Sequence, residues 1–210
     1  MEKKYKYLGY FIILLVPLTF LAFYKTYFVQ FPNFENNITA YTHLHAFIST
    51  IWILILIVQP ILIWNKKNVA HKIIGKLSYF MFPLLILSFI PLIINILHSE
   101  NQKFSFLPIS DSILLSLFYS LAIYNKRNVA KHMRFMIGIA IVFIGPTFGR
   151  IGKHILELSG GTTQHLIYGI IYLILTGLIY YDIRNGKNYR PYILILSIWI
   201  IHQITYDLIL

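Results

Sequence analysis

Eight histidines and no cysteine in a chain of 210 residues set the chemistry open to this protein. Without thiols there is no disulfide, no thiolate nucleophile and no Cys-ligated cluster or zinc site. Imidazole is then the main donor left for a metal or for haem iron. His202 lies ten residues beyond Tyr192 in a continuously apolar stretch. At 1.5 Å per residue that is about 15 Å into a membrane helix, a depth at which an ionisable group is read as functional first. Its other reading is a polar residue bonded to Gln59, Thr50 or Tyr206. In His43-Leu44-His45 only one imidazole can face a helical neighbour, because positions two apart on a helix lie about 200° apart. His45 is the better candidate, with Ser49 one turn on and Trp52 two turns on. His165 follows Thr162-Thr163-Gln164 and completes an outer set. His45, His165 and His202 together suit zinc or copper, and two of them suit a bis-histidine haem.

His71 and His132 form an inner set at the opposite end of their helices, with Gly75 and Gly138 nearby as small residues that would let a flat macrocycle approach. Lipid-headgroup contact is the alternative for both. Asp207 and Tyr206 are placed to orient a ligand or relay protons. Arg150 either pairs with Glu157 or Asp207, holds a carboxylate such as a haem propionate, or reaches to the interface. His98 and His154 read as solvated, beside Glu100 and Glu157. Asp111, between two serines, reads as a helix N-cap. No phosphate loop, G-x-S-x-G elbow or H-E-x-x-H motif is present, and no Ser-His-Asp triad follows from the spacing.

The elements that carry these residues are membrane helices. Hydrophobic residues make up 58% of the chain and charged ones 12%, which excludes a disordered chain, a coiled coil and an ordinary soluble globule. Continuous apolar runs predict seven spans, at about 7–24, 44–64, 73–97, 107–124, 129–149, 165–181 and 192–209, each able to cross roughly 30 Å of hydrocarbon. The basic start Met1–Lys6 resembles that of a signal peptide, but no small-residue cleavage site follows, so the first run reads as a retained span. Gln59-Pro60 marks a kink, and the Phe and Tyr stripes read as lipid-facing or packing residues. The connection 150–164 reads as one amphipathic interfacial turn closed by Ser159-Gly160-Gly161.

The net charge of +11 would suit nucleic acid, but its placement points to a membrane. One side carries fourteen of the eighteen basic residues and only Glu2 and Asp182 of the seven acids. The positive-inside rule puts that side in the cytoplasm, with the N-terminus inside and the C-terminus outside. An internal repeat accompanies it. Asn65-Lys66-Lys67-Asn68-Val69-Ala70 recurs 60 residues later as Asn125-Lys126-Arg127-Asn128-Val129-Ala130, each copy followed by a histidine. The second and third spans, and the fourth and fifth, then read as parallel hairpins. The register is imperfect, since His71 and His132 are 61 residues apart.

Several stretches resemble a known family. They are His43-x-His45-Ala46-x5-Trp52 with Gln59-Pro60, Ala70-His71-Lys72-x2-Gly75-Lys76, Lys131-His132-Met133-Arg134-Phe135-Met136, and Pro146-x3-Arg150-Ile151. They resemble an uncharacterised family of bacterial polytopic membrane proteins, the DUF2306-like proteins, which implies a multi-pass protein of the bacterial inner (cytoplasmic) membrane. A more distant similarity is to transmembrane b-type cytochromes and haem-handling oxidase-assembly proteins. It implies haem b held by His45 with His165 or His202 outside, and by His71 with His132 inside. Electrons would pass between the faces to a redox partner such as a quinone. Two other readings stand beside electron transfer. One is a zinc-dependent membrane hydrolase using His45, His165 and His202 with Asp207. The other is a non-enzymatic assembly factor, permease or sensor. In all three the lipid bilayer is the constant partner and nucleic acid is excluded.

Overall fold

The computed structural model describes residues 12–34 and 38–210. Residues 7–11 of the predicted first span, and Glu35, lie outside them. Among the described residues the regular structure is helical and no strand occurs. The α-helices are α1 (Leu15–Tyr24), α2 (Ala40–Trp64), α3 (Asn68–Leu97), α4 (Phe106–Tyr124), α5 (Val129–Val142), α6 (Ile144–His154), α7 (Gly160–Arg184) and α8 (Arg190–Ile209). Among the described residues six segments are long and apolar enough to cross a membrane: α2, α3, the stretch Gln102–Tyr124 containing α4, the stretch Val129–His154 containing α5 and α6, α7 and α8. The chain is an all-α, multi-pass membrane protein. Within the described part of the first predicted span, residues 12–24, α1 has 10 residues, short of the roughly 20 that a crossing needs.

Local chemistry sets the helix ends, and several differ from the sequence expectation. Ser159 accepts the Thr162 N–H at 3.1 Å, so Ser159-Gly160-Gly161 opens α7 where a closing turn was expected. A serine hydroxyl satisfies an orphan N–H at a helix start, and this outweighs glycine's preference for helix ends. The residues expected in an interfacial turn are instead split, with Ile151–His154 continuing α6. Asp111 is not an N-cap, because α4 begins at Phe106 and places it in the second turn. The fifth span breaks at Phe143. Pro146 has no N–H for the Val142 carbonyl and its ring crowds that carbonyl, so α5 stops at Val142 and the proline sits in the first turn of α6.

The repeated hexapeptide resolves into two similar but unequal turns. The first copy turns over residues 65–67, and Asn68 already belongs to α3. The second turns over 125–128, and Asn128 caps α5 by accepting the Lys131 N–H at 3.1 Å. The extra turn residue absorbs the one-residue offset. His71 and His132 are each the fourth residue of their helix, their N–H groups bonded to the carbonyls of Lys67 and Asn128 at 3.0 and 2.9 Å.

The chain divides into two compact units, Met1–Ser112 and Ile113–Leu210. In the first, α2 and α3 pack through Trp52 and Leu85, both fully buried, with the Trp52 and Phe82 rings 5.2 Å apart. Gln59 Nε2 donates to the His71 carbonyl at 3.2 Å and lies 3.5 Å from where a Gly75 Cβ would stand. The second unit packs the rest of α4 with α5–α8 around Phe118, Ile139, Ile171 and Ile195. Lipid offers apolar groups as good a solvent as the protein does, so close packing and hydrogen bonds must hold these helices together. Gly138 and Gly152 show how tight that packing is. A Cβ would lie 2.9 Å from Ile195 at the first and 2.5 Å from Thr163 at the second.

Arg134 and Asp182, counted in the sequence as loop charges of the basic side, are neither solvated nor in loops. Arg134 of α5 donates from Nε and Nη2 to the two carboxylate oxygens of Asp182 in α7, at 2.7 and 2.9 Å. Neither side chain has exposed surface. Nη1 donates to the Ala130 carbonyl at 2.9 Å, and Tyr192 of α8 presents its ring 5.7 Å from the guanidinium carbon. One bidentate pair thus ties α5, α7 and α8. Breaking half of a buried pair typically costs about 3–5 kcal/mol because the survivor is left uncompensated. Asp182→Asn should therefore lower the unfolding temperature in detergent sharply. Arg134→Met with Asp182→Leu should lose far less than the two single changes added together.

Candidate functional site

The polar groups that the sequence scatters over the last two spans converge along the α7–α8 interface. On α7, His165, Tyr168 and Tyr172 follow i, i+3, i+7 spacing and so share one face. On α8, Trp199, His202 or Gln203, and Tyr206 do the same in the opposite chain direction. Three polar rungs result. At the mouth, His165 Nε2 stands 3.7 Å from Asp207 Oδ1, with both side chains about half exposed. Next, the Tyr168 hydroxyl and His202 Nδ1 share a buried hydrogen bond of 2.9 Å. Deepest, Tyr172 donates to Gln203 Oε1 at 2.6 Å. From His165 to Tyr172 is seven residues, about 10 Å along the axis, and Tyr172 is the midpoint of α7. Beyond it α7 presents Leu175 and Leu178, and the next buried polar side chain on that helix is Asp182. The ladder's most exposed polar pair is His165 and Asp207.

Aromatic rings surround the middle rung. Trp199 lies 5.1 Å from the His202 ring and 6.4 Å from Tyr168. Tyr206 is 5.9 Å from Tyr168 and 6.2 Å from His165. His202 therefore has a hydrogen-bond partner in Tyr168, a residue that was not considered for it from sequence. Tyr168 and Tyr172 were missed because every tyrosine stripe was read as lipid-facing or packing. The matched spacing of polar aromatics on two consecutive helices was the sign that could have found them.

No family model matches the chain, and neither does any curated protein or solved structure.

The other predicted residues fall into separate local arrangements. His45 faces α3. Ser88 donates its proton to the Leu85 carbonyl at 2.6 Å, so at 2.9 Å it must accept from His45 Nδ1–H. Nε2 then accepts from Ser49 at 3.3 Å. Two serines thus engage both nitrogens. His43 points the other way, as the helical phase required, to Tyr27 at 2.7 Å and edge-on to Phe34 at 4.6 Å. His132 Nδ1 lies 2.8 Å from the Ala122 carbonyl. A carbonyl only accepts, so Nδ1 carries the proton and the neutral ring keeps its lone pair on Nε2. Arg150 bonds the Pro146 carbonyl of its own helix at 3.1 Å. The space over Gly138, expected to admit a macrocycle, is filled by Ile195 and Phe118, and that over Gly75 by Gln59. Among the described residues no three His, Asp or Glu side chains are grouped to hold a metal ion.

Removing the Tyr168 hydroxyl isolates the middle rung. Tyr168→Phe should cost about 1 kcal/mol, the usual scale for an interhelical hydrogen bond in a membrane. Thermal unfolding should show Tyr168→Phe and His202→Phe to be non-additive, because both break the same bond.

Proposed function

We propose that this is a non-enzymatic membrane protein of the permease or sensor class, in which the α7–α8 ladder is a proton-uptake site open to the outer face. The supporting observation is the buried Tyr168–His202 hydrogen bond, with polar rungs leading from it to the half-exposed His165 and Asp207 and apolar residues on its other side. Histidine exchanges protons in the physiological range, and a chain of ionisable groups inside a membrane protein is the usual form of a proton route. A proton reaching the mouth is shared by His165 and Asp207 and passes inward to the imidazole of His202. The Tyr168 hydroxyl holds that ring and accepts its Nδ1–H when the imidazole is charged.

The same reading has seven spans in the bacterial cytoplasmic membrane, the first including α1, with the N-terminus cytoplasmic and the C-terminus outside. Charge supports this orientation. The bias remains after Arg134 and Asp182 are set aside as a mutually neutralised internal pair. The His165–Asp207 mouth then faces outward.

A protonated imidazole quenches a neighbouring indole, and His202 lies 5.1 Å from Trp199. In oriented vesicles, the fluorescence that is absent from Trp199→Phe should fall as the outer pH is lowered from 8 to below 4, because burial disfavours the charged imidazole, and should not respond to the inner pH. His202→Gln should abolish the response. No response from either side would make His202 a purely structural residue and overturn the reading.

A second reading, haem b binding at His132, keeps one supporting observation: the Ala122 carbonyl holds His132 in the tautomer with an Nε2 lone pair, as haem and metal ligands require. It predicts a Soret band in the purified protein that shifts on dithionite reduction and is lost in His132→Ala. A colourless, metal-free protein would remove it.

A further inference from the structure

Trp199 carries a buried donor that the ladder does not use. Its side chain is 1% exposed, and its indole N–H meets no acceptor among the described residues. A buried N–H without a partner is destabilising, and such groups in folded proteins generally find water. The orphan also sits at the centre of the candidate site. The His202 ring is 5.1 Å away and the Tyr168 ring 6.4 Å away, while the backbone carbonyl of Trp199 itself accepts from Tyr172 at 3.4 Å. Tyr168, Ile195, His202 and Tyr206 are all buried. One water molecule fits the chemistry, provided that it finds two to four polar partners.

We propose that Trp199 Nε1 holds a resident water molecule that joins the middle rung of the ladder. The indole N–H donates to the water oxygen. The water donates onward to the Tyr168 hydroxyl oxygen, which has two lone pairs and spends one proton on its own bond. The water is thereby oriented by a group that cannot itself take up or release a proton. Its place as a proton carrier rests on the uptake reading above; its presence rests only on the orphan donor and the polar atoms around it.

The test uses full-length protein in detergent or nanodiscs with ¹⁵N-indole-labelled tryptophan. Three indole signals are expected, from Trp52, Trp64 and Trp199. The signal lost in Trp199→Phe identifies the third. If that variant does not fold, Trp52→Phe and Trp64→Phe assign it by elimination. The Trp199 N–H should show a magnetisation-transfer peak to water comparable with that of the partly exposed Trp64. Absence of the peak at Trp199, with Trp64 showing one, overturns the resident water. The two readings separate cleanly. A water peak without fluorescence quenching by outer pH keeps the water and removes proton uptake. Quenching without a water peak does the reverse.

Discussion

The Arg134–Asp182 pair is the constraint on which the second unit depends. A guanidinium and a carboxylate without exposed surface are tolerable in a low-dielectric interior only as a pair with nearly every donor and acceptor engaged. Here the carboxylate takes two parallel N–H bonds, the remaining guanidinium nitrogen bonds the Ala130 carbonyl, and Tyr192 covers the cation with its ring. These demands come from three helices at once. They fix the rotation of α5, α7 and α8 about their own axes, because a rotation of one residue, about 100°, would expose one charge and strand the other. The helix C-terminus is anchored in the same place, since the Asp182 carbonyl accepts the Lys187 N–H at 2.8 Å.

Once α7 is fixed in rotation at Asp182, its His165–Tyr168–Tyr172 face follows. Asp182 lies ten residues beyond Tyr172, nearly three turns along the same helix. The ion pair and the ladder therefore occupy opposite ends of α7, one dry and closed, the other leading to half-exposed side chains. Hydrogen bonds along the ladder have two consequences. They hold α7 against α8 where apolar contact alone gains little from the lipid, and they place the His202 ring among Tyr168, Trp199 and Tyr206, all buried. The adhesive and the chemical group are the same atoms.

Small residues permit this closeness elsewhere. Gly138 lets Ile195 and Phe118 close over α5, and Gly152 lets Thr163 close on α6. From sequence Gly138 was open to another interpretation, room for a flat cofactor. The absence of a Cβ is the same fact in both interpretations, and only the neighbour that occupies the space distinguishes them. The repeat shows the opposite case. His71 and His132 are 61 residues apart across a 60-residue repeat, yet a turn longer by one residue returns both to the fourth position of their helices.

The sequence by itself determined that the chain is helical and membrane-embedded, roughly where six of the crossings lie, and that imidazole carries most of its metal-capable chemistry. These properties depend on the length and hydropathy of contiguous residues and on the residue inventory, which no tertiary arrangement can change. The expected spans missed helix starts by up to five residues, since α3 begins at Asn68 rather than 73, and a hydroxyl at Ser159 and a proline at Pro146 decided two further boundaries. Only the tertiary structure decided the partners: Tyr168 for His202, Ser88 and Ser49 for His45, Asp182 for Arg134. A helix exposes a new face every 100°, so the sequence narrows which residues share a face but does not say which other helix that face meets. A buried ion pair and a polar ladder exist only once two such faces are pressed together and water is gone from between them.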